Sequence, residues 1–287
     1  WTYRASADFK VDPEKMVYAS IAKGVMAGFF NGVIDAPAGN VPIPVSLQNY
    51  KPSTNITYEV GAKASWLDRR LTTNLAVFYI NYKDLQIQTA PPPPLLTRLT
   101  TNAGGATAKG LELSVDGRVS DRLSVGFGYA YVDPKFSKGT IDLSTTTFCG
   151  VGNPPLCGPD ISGNSLTRAS KNMANVYVEY NAPLTADWTW FARLDGRYQS
   201  KQYPRTLDLQ WVPGYAIGNA RLGFSRDGKL DVELWVKNFT DKLYINTALA
   251  TPFANAAPFQ AGGGTDFVPS TIMGDLRSYG LTARFRF

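Results

Sequence analysis

Cys149 and Cys157 flank the heptapeptide GVGNPPL and are the only two cysteines in a chain of 287 residues that has no histidine. That inventory cannot build a Cys/His zinc site, a histidine acid–base pair or a Ser-His-Asp triad. No catalytic residue, cofactor site or metal site is therefore expected. What two cysteines at this spacing can do is pair with each other. In an oxidising compartment a bridge would close a small ring and stabilise it by roughly 2.5 kcal/mol. The run Gly262-Gly263-Gly264 lacks the strand–turn–helix setting of a phosphate cradle and reads as a loop tip. Pro91 to Pro94 is a short polyproline segment that could contact a ligand or partner, or could stiffen a loop and block strand continuation.

A second group of residues is suited to holding a ligand. Phe29, Phe30, Phe148, Tyr203, Trp211, Phe253 and Phe259 lie in or beside segments without regular periodicity. They could grip an apolar or planar molecule, or they could pack those segments together, and the sequence leaves both readings open. The net charge of +6 arises from 29 cations against 23 anions. The cations are spread along alternate positions among anions, so no nucleic-acid partner is expected.

The elements that must position these residues are strands. Trp1, Tyr3, Ala5, Ala7, Phe9 and Val11 alternate with Thr2, Arg4, Ser6, Asp8 and Lys10, which is the period of a strand with one wet and one apolar face. The same period recurs along the chain. It predicts an all-β, antiparallel protein with eleven strands at about 1–11, 15–28, 56–67, 71–88, 99–119, 122–134, 169–184, 187–203, 211–226, 230–246 and 274–287. Most exceed the usual five or six residues of soluble sheets. No helix is expected, and no run of 18 apolar residues is present.

Two further patterns separate a membrane wall from a soluble sandwich. On the clearest strands the polar rows carry cations and anions in near balance, whereas the apolar rows carry no charge. Aromatic residues lie near both ends of the apolar rows. From Trp188 to Tyr198 is roughly 34 Å along a strand, or about 25 Å of height once the strand is tilted, which matches the apolar band of an outer-membrane barrel. Connections also alternate between short turns, such as Asp12-Pro13-Glu14 and Arg226-Asp227-Gly228, and long segments low in charge. On such barrels short turns face the periplasm and long loops face outward. An odd count of eleven strands then predicts a chain that is the C-terminal part of a larger barrel.

Four segments carry a family resemblance. ITYEVGAKASWLDRRLTTNLAVFYINYKDLQIQ (56–88), TNAGGATAKGLELSV (101–115), VKNFTDKLY (236–244) and the closing LRSYGLTARFRF resemble the barrel of TonB-dependent outer-membrane receptors. The resemblance implies a 22-stranded outer-membrane transporter whose lumen is filled by a plug domain outside this chain. It implies outer-membrane lipid around the wall, the TonB complex acting through an N-terminal region, and a small-molecule substrate caught at the external loops. Tyr279, Phe285 and Phe287 would then form the terminal signal read by the barrel assembly machinery. A ferric siderophore is the expected substrate, the absence of histidine counting against haem. A passive porin, or a receptor for cobalamin or carbohydrate, is the alternative. A barrel enzyme or adhesin finds no support in the residues.

Overall fold

The computed structural model describes residues 1–31, 48–89, 99–142, 147–148, 156–157, 159–208, 211–249 and 270–286. Eleven strands form its main sheet: β1 Tyr3–Asp12, β2 Lys15–Met26, β3 Ser53–Trp66, β4 Leu71–Lys83, β5 Ala106–Arg118, β6 Leu123–Phe136, β7 Asn172–Pro183, β8 Trp188–Gln199, β9 Tyr215–Arg226, β10 Leu230–Lys237 and β11 Ser278–Phe285. They are antiparallel, and each pairs with the next in chain order. Among the described residues there is no helix.

The register turns local alternation into two continuous faces, because directly opposed residues of an antiparallel pair lie on the same side. Starting at Phe9, the pairing runs through Val17, Ala62, Leu75 and Leu113. From there it continues through Tyr129, Ala174, Tyr198 and Ala216. Farther along, Leu222, Leu234 and Leu281 extend the apolar band to the final strand. Large side chains of this band are exposed, among them Val60, Val77, Leu194 and Leu281. A soluble sheet would bury such a row, whereas a lipid-facing wall leaves it bare.

Turn chemistry explains one end of the sheet. The Asp12 carboxylate accepts from the Glu14 amide at 2.8 Å and pairs with Lys15 at 3.0 Å. Ser120 Oγ accepts from the amides of Arg122 and Leu123, and Thr185 Oγ1 accepts from that of Trp188. Asp227 and Gly228 take positive φ values of 43° and 68°, the twist-compatible two-residue hairpin turn.

The opposite end departs from the expected boundaries. The span expected at 71–88 stops at Lys83, because Asp84 turns into the left-handed region at φ 53°. Gln86–Thr89 instead pairs with Leu99–Asn102 as a separate ladder. The span expected at 99–119 is cut at Gly104, whose φ of 117° suits glycine and whose absent Cβ leaves room for Thr140. Asn238, at φ 48°, ends β10 inside the span expected at 230–246. Its buried amide donates to the carbonyls of Lys242 and Asp275 and its oxygen accepts from the Lys242 amide. β9 begins at Tyr215 rather than 211, and β8 ends at Gln199 rather than 203. Phe29–Phe30 with Asn49–Tyr50, and Ile245–Leu249 with Ser270–Met273, add further short ladders at this end.

A small core also sits here. Ala106, Phe136 and Ile161 are buried together, with Tyr82, Leu85, Leu166 and Leu207 packed against them. Of the buried apolar residues, Leu99, Ala103, Ala106, Phe136, Ile161 and Val212 all lie at the long-loop end, and Ala182 lies near a short turn. The wall has little interior of its own; its loops have one.

Candidate functional site

The polar face of the sheet is built first from glycine and aromatic pairs. Tyr18 opposes Gly61, Phe78 opposes Gly110, Tyr177 opposes Gly126, Phe191 opposes Gly223 and Trp235 opposes Gly280. In each pair the ring occupies the space a glycine Cβ would need. Laying a ring over a cross-strand glycine shields the bare backbone and keeps the wall thin at that point. The polar face is consequently not purely polar, which alternation alone does not reveal. Glycine in a wet row was the available signal, but its partner depends on register.

Charge on this face is arranged rather than scattered. Arg193 reaches Glu179 at 3.0 Å and Asp195 at 2.8 Å, and Arg221 reaches Asp195 at 3.3 Å. Asn181 donates to the other Glu179 oxygen at 2.8 Å. The Arg193 guanidinium also lies 4.2 Å from the Tyr177 ring centroid, and the Tyr177 hydroxyl donates to Asp116 at 3.0 Å. Two cations thus meet two anions at mid-height on β7, β8 and β9. Elsewhere on the same face Tyr18 donates to Glu59 at 2.7 Å.

Above this network the character changes. Arg197 Nη2 donates to the Tyr215 hydroxyl at 2.6 Å, and Tyr215 stacks on Tyr244 at 4.2 Å. The pairing of Gln199 with Tyr215 continues without a shift to the bridge between Gln202 and Val212. Lys201, Tyr203 and Trp211 therefore continue the polar face upward. Lys201 Nζ lies 5.4 Å from the Tyr203 ring and 5.5 Å from that of Trp211. The small loop core braces this edge: the Arg168 amide donates to the Tyr203 carbonyl at 2.7 Å. Asn164 Nδ2 donates to Thr206, and the Ser165 amide to Asp208. Nearby, burial pushes the Arg205 guanidinium below its usual value, an effect opposed by Asp142. Hydrogen bonds from the Ser162 hydroxyl and amide hold the Asp160 carboxyl below the usual range.

The residues singled out from sequence are distributed as follows. Tyr203 and Trp211 share a neighbour, the Lys201 ammonium, which lies within 5.5 Å of both ring centroids. Phe29 and Phe30 meet edge to face at 6.3 Å and are strongly exposed on a different loop. The backbones of Phe148 and Cys157 belong to a short ladder in which Cys157 opposes Thr147. Cys149, Phe253, Phe259 and Phe287 lie outside the described residues. Tyr279 and Phe285 lie on the apolar band, opposite Val236 and Leu230, and both are exposed.

A wall of long, antiparallel, two-faced strands, apolar and bare on one side and charged and ring-lined on the other, defines a transmembrane β-barrel segment. Residues 1–239 match the family model described as TonB dependent receptor-like, beta-barrel. The chain belongs to that family, whose members are outer-membrane receptors. It is 25% identical over 265 residues to the probable TonB-dependent siderophore receptor PiuA of Acinetobacter baumannii, covering 89% of this chain and 32% of that protein. It is 28% identical over 210 residues to the ferrioxamine receptor of Yersinia enterocolitica, covering 71% and 26% respectively. The ferric yersiniabactin uptake receptor FyuA from Yersinia pestis superposes with a TM-score of 0.73 at 20% identity, over 99% of this chain and 37% of that one. The chain spans about a third of the length of the curated relatives it matches.

Proposed function

We propose that the receptor containing this chain takes up a ferric siderophore complex across the outer membrane, driven through TonB, and that this chain supplies part of its barrel wall. The observation that carries the reading is the continuous antiparallel pairing of the eleven strands in chain order. It gives lipid an apolar surface on one side and gives a lumen a charged, ring-lined surface on the other. The membership of the barrel in a receptor family and the printed names of its relatives support the choice of cargo. On this reading the polar face lines the space of a plug domain, and the balanced Arg193–Glu179–Asp195–Arg221 network wets that face without favouring one sign of ion. A one-sign constriction would be expected of a charge-selective pore.

Binding and passage, rather than a reaction on the cargo, is the role assigned to this wall. Tyr279 and Phe285, with Phe287, supply the terminal aromatic pattern for the barrel assembly machinery. Cys149 and Cys157 form a bridge within an external loop. The test is uptake of radiolabelled iron by cells expressing or lacking the full-length receptor, with TonB intact or inactivated. Expected is uptake that needs both; uptake that persists without TonB overturns the reading in favour of passive passage. Growth on defined cobalamin or carbohydrate sources separates the other cargo classes.

A further inference from the structure

The loop-side part of β8 and β9 carries cations whose situation differs from those below. Arg193, Arg197 and Lys201 follow at four-residue intervals and share one face of the same extended segment, roughly 13 Å between successive rungs. The lowest rung is neutralised: Arg193 and Arg221 are held by Glu179 and Asp195. The upper two make no ion pair among the described residues. Arg197 is held by the Tyr215 hydroxyl and ring, and Lys201 by the rings of Tyr203 and Trp211. A ring face attracts a cation but leaves its charge uncompensated. Both cations are exposed, and Trp211 is 59% exposed, whereas Tyr215 is buried and fixed against Tyr244.

We propose that Arg197, Lys201, Tyr203 and Trp211 form a subsite for an anionic iron chelate that carries planar rings, of the phenolate or catecholate class. The inference rests on the uptake reading above and specifies its cargo. Anionic oxygens of such a chelate meet Lys201 and Arg197, while one of its rings stacks on the open side of Trp211. A chelate that is both cationic and aliphatic satisfies neither requirement. The subsite is organised before the ligand arrives, because the Arg168 amide holds the Tyr203 carbonyl at 2.7 Å and Tyr215 is locked by its neighbours. Preorganisation of this kind removes part of the ordering cost of binding.

The experiment uses the full-length receptor in detergent and two probes: the ferric complex of a tricatecholate chelator, anionic and ring-bearing, and a ferric linear trihydroxamate, cationic and aliphatic. Expected is tighter binding of the tricatecholate. Lys201→Glu and Trp211→Ala should each weaken it about tenfold or more, while Lys201→Arg and Trp211→Phe recover most of the affinity. The β-sheet circular dichroism of each variant confirms the fold. The subsite is overturned if tricatecholate affinity stays within about twofold in both disruptive variants, or if the trihydroxamate binds more tightly than the tricatecholate. A wild-type receptor that binds neither iron complex and transports no iron instead overturns the uptake reading, and the subsite with it.

Discussion

The wall and the loop cap are stabilised in opposite ways. In the wall, side chains such as Val60, Val77 and Leu194 point outward into what would be lipid, and cohesion comes from the ladder of backbone hydrogen bonds. Each of the nine inner strands is paired on both sides, as the hydrocarbon layer requires, whereas β1 and β11 each pair on one side within this chain. In the cap, Phe136, Ile161 and Ala106 are buried as they would be in a small soluble domain. Apolar residues thus face outward in one region and inward in the other. The change occurs along single strands: β6 presents Phe127 to the lipid side and ends with Phe136 in the cap core. Burial therefore measures stability in the cap but not in the wall, where an apolar side chain facing lipid is in its stable state.

The largest effect should come from breaking the cap alone. Phe136→Ala removes a side chain that is 5% exposed from a core with few other members. A loss of about 3–5 kcal/mol of local stability is expected. Limited proteolysis should cut the β4–β5 and β6–β7 loops rapidly, while the wall keeps its strand circular dichroism and resists unfolding. If cap and wall melt together, the two regions are one cooperative unit and the contrast fails.

The converse substitution tests the wall. Leu194 lies within the apolar band, opposite Val178 and Ala220, and is 56% exposed. Leu194→Arg should cost about 2–4 kcal/mol in a bilayer near its midplane. The same change on the surface of a water-soluble protein would be nearly neutral. Reconstitution into vesicles followed by denaturant titration reads the loss. An unaffected midpoint would place this face in water.

A smaller effect is expected on the polar face. Arg193 lies between Glu179 and Asp195 with its side chain 24% exposed. Charge-assisted hydrogen bonds of this kind contribute about 1.5–3 kcal/mol when sheltered. Water in a lumen reduces that, so Arg193→Gln should cost about 1 kcal/mol. A double-mutant cycle with Glu179→Gln isolates the pair. Additive effects would mean that the ion pair contributes no coupling.

Much of the wall was legible in sequence because its determinant is local: a period of two places Leu230, Val232, Leu234 and Val236 on one side whatever their partners are. The class and the two faces followed from that alternation. The cap was not legible, because Leu99, Phe136, Ile161 and Leu207 come from four distant segments with no shared period. The rings on the polar face escaped for a related reason. Tyr177 in a wet row looks misplaced until the register sets it over Gly126. At the candidate subsite, Tyr203 and Trp211 were recognisable as aromatic, but Lys201 was not. Its meaning depends on a bridge between Gln202 and Val212 that carries the β8–β9 register past the ends of both strands.

The finest division between the two regions is made by pH. Asp160 belongs to the cap, and the Ser162 hydroxyl and amide donate to its carboxylate, which keeps its folded pKa below the unfolded value. A depressed carboxylate stabilises the fold above its unfolded pKa, near 3.9, and that contribution is lost as pH falls through the lower folded value. Acidification in this window should therefore loosen the loop around Asp160, whereas neutral and alkaline conditions should not. Ser162→Ala removes the hydroxyl donor and should reduce the acid-dependent part, leaving the amide bond in place. Because Asp160 is fully exposed, the change is the smallest of the series, and amide hydrogen exchange in the 159–168 segment at pH 3 and pH 6 is the suitable reading. Equal acid sensitivity in wild type and Ser162→Ala would show that the hydroxyl does not set the Asp160 titration.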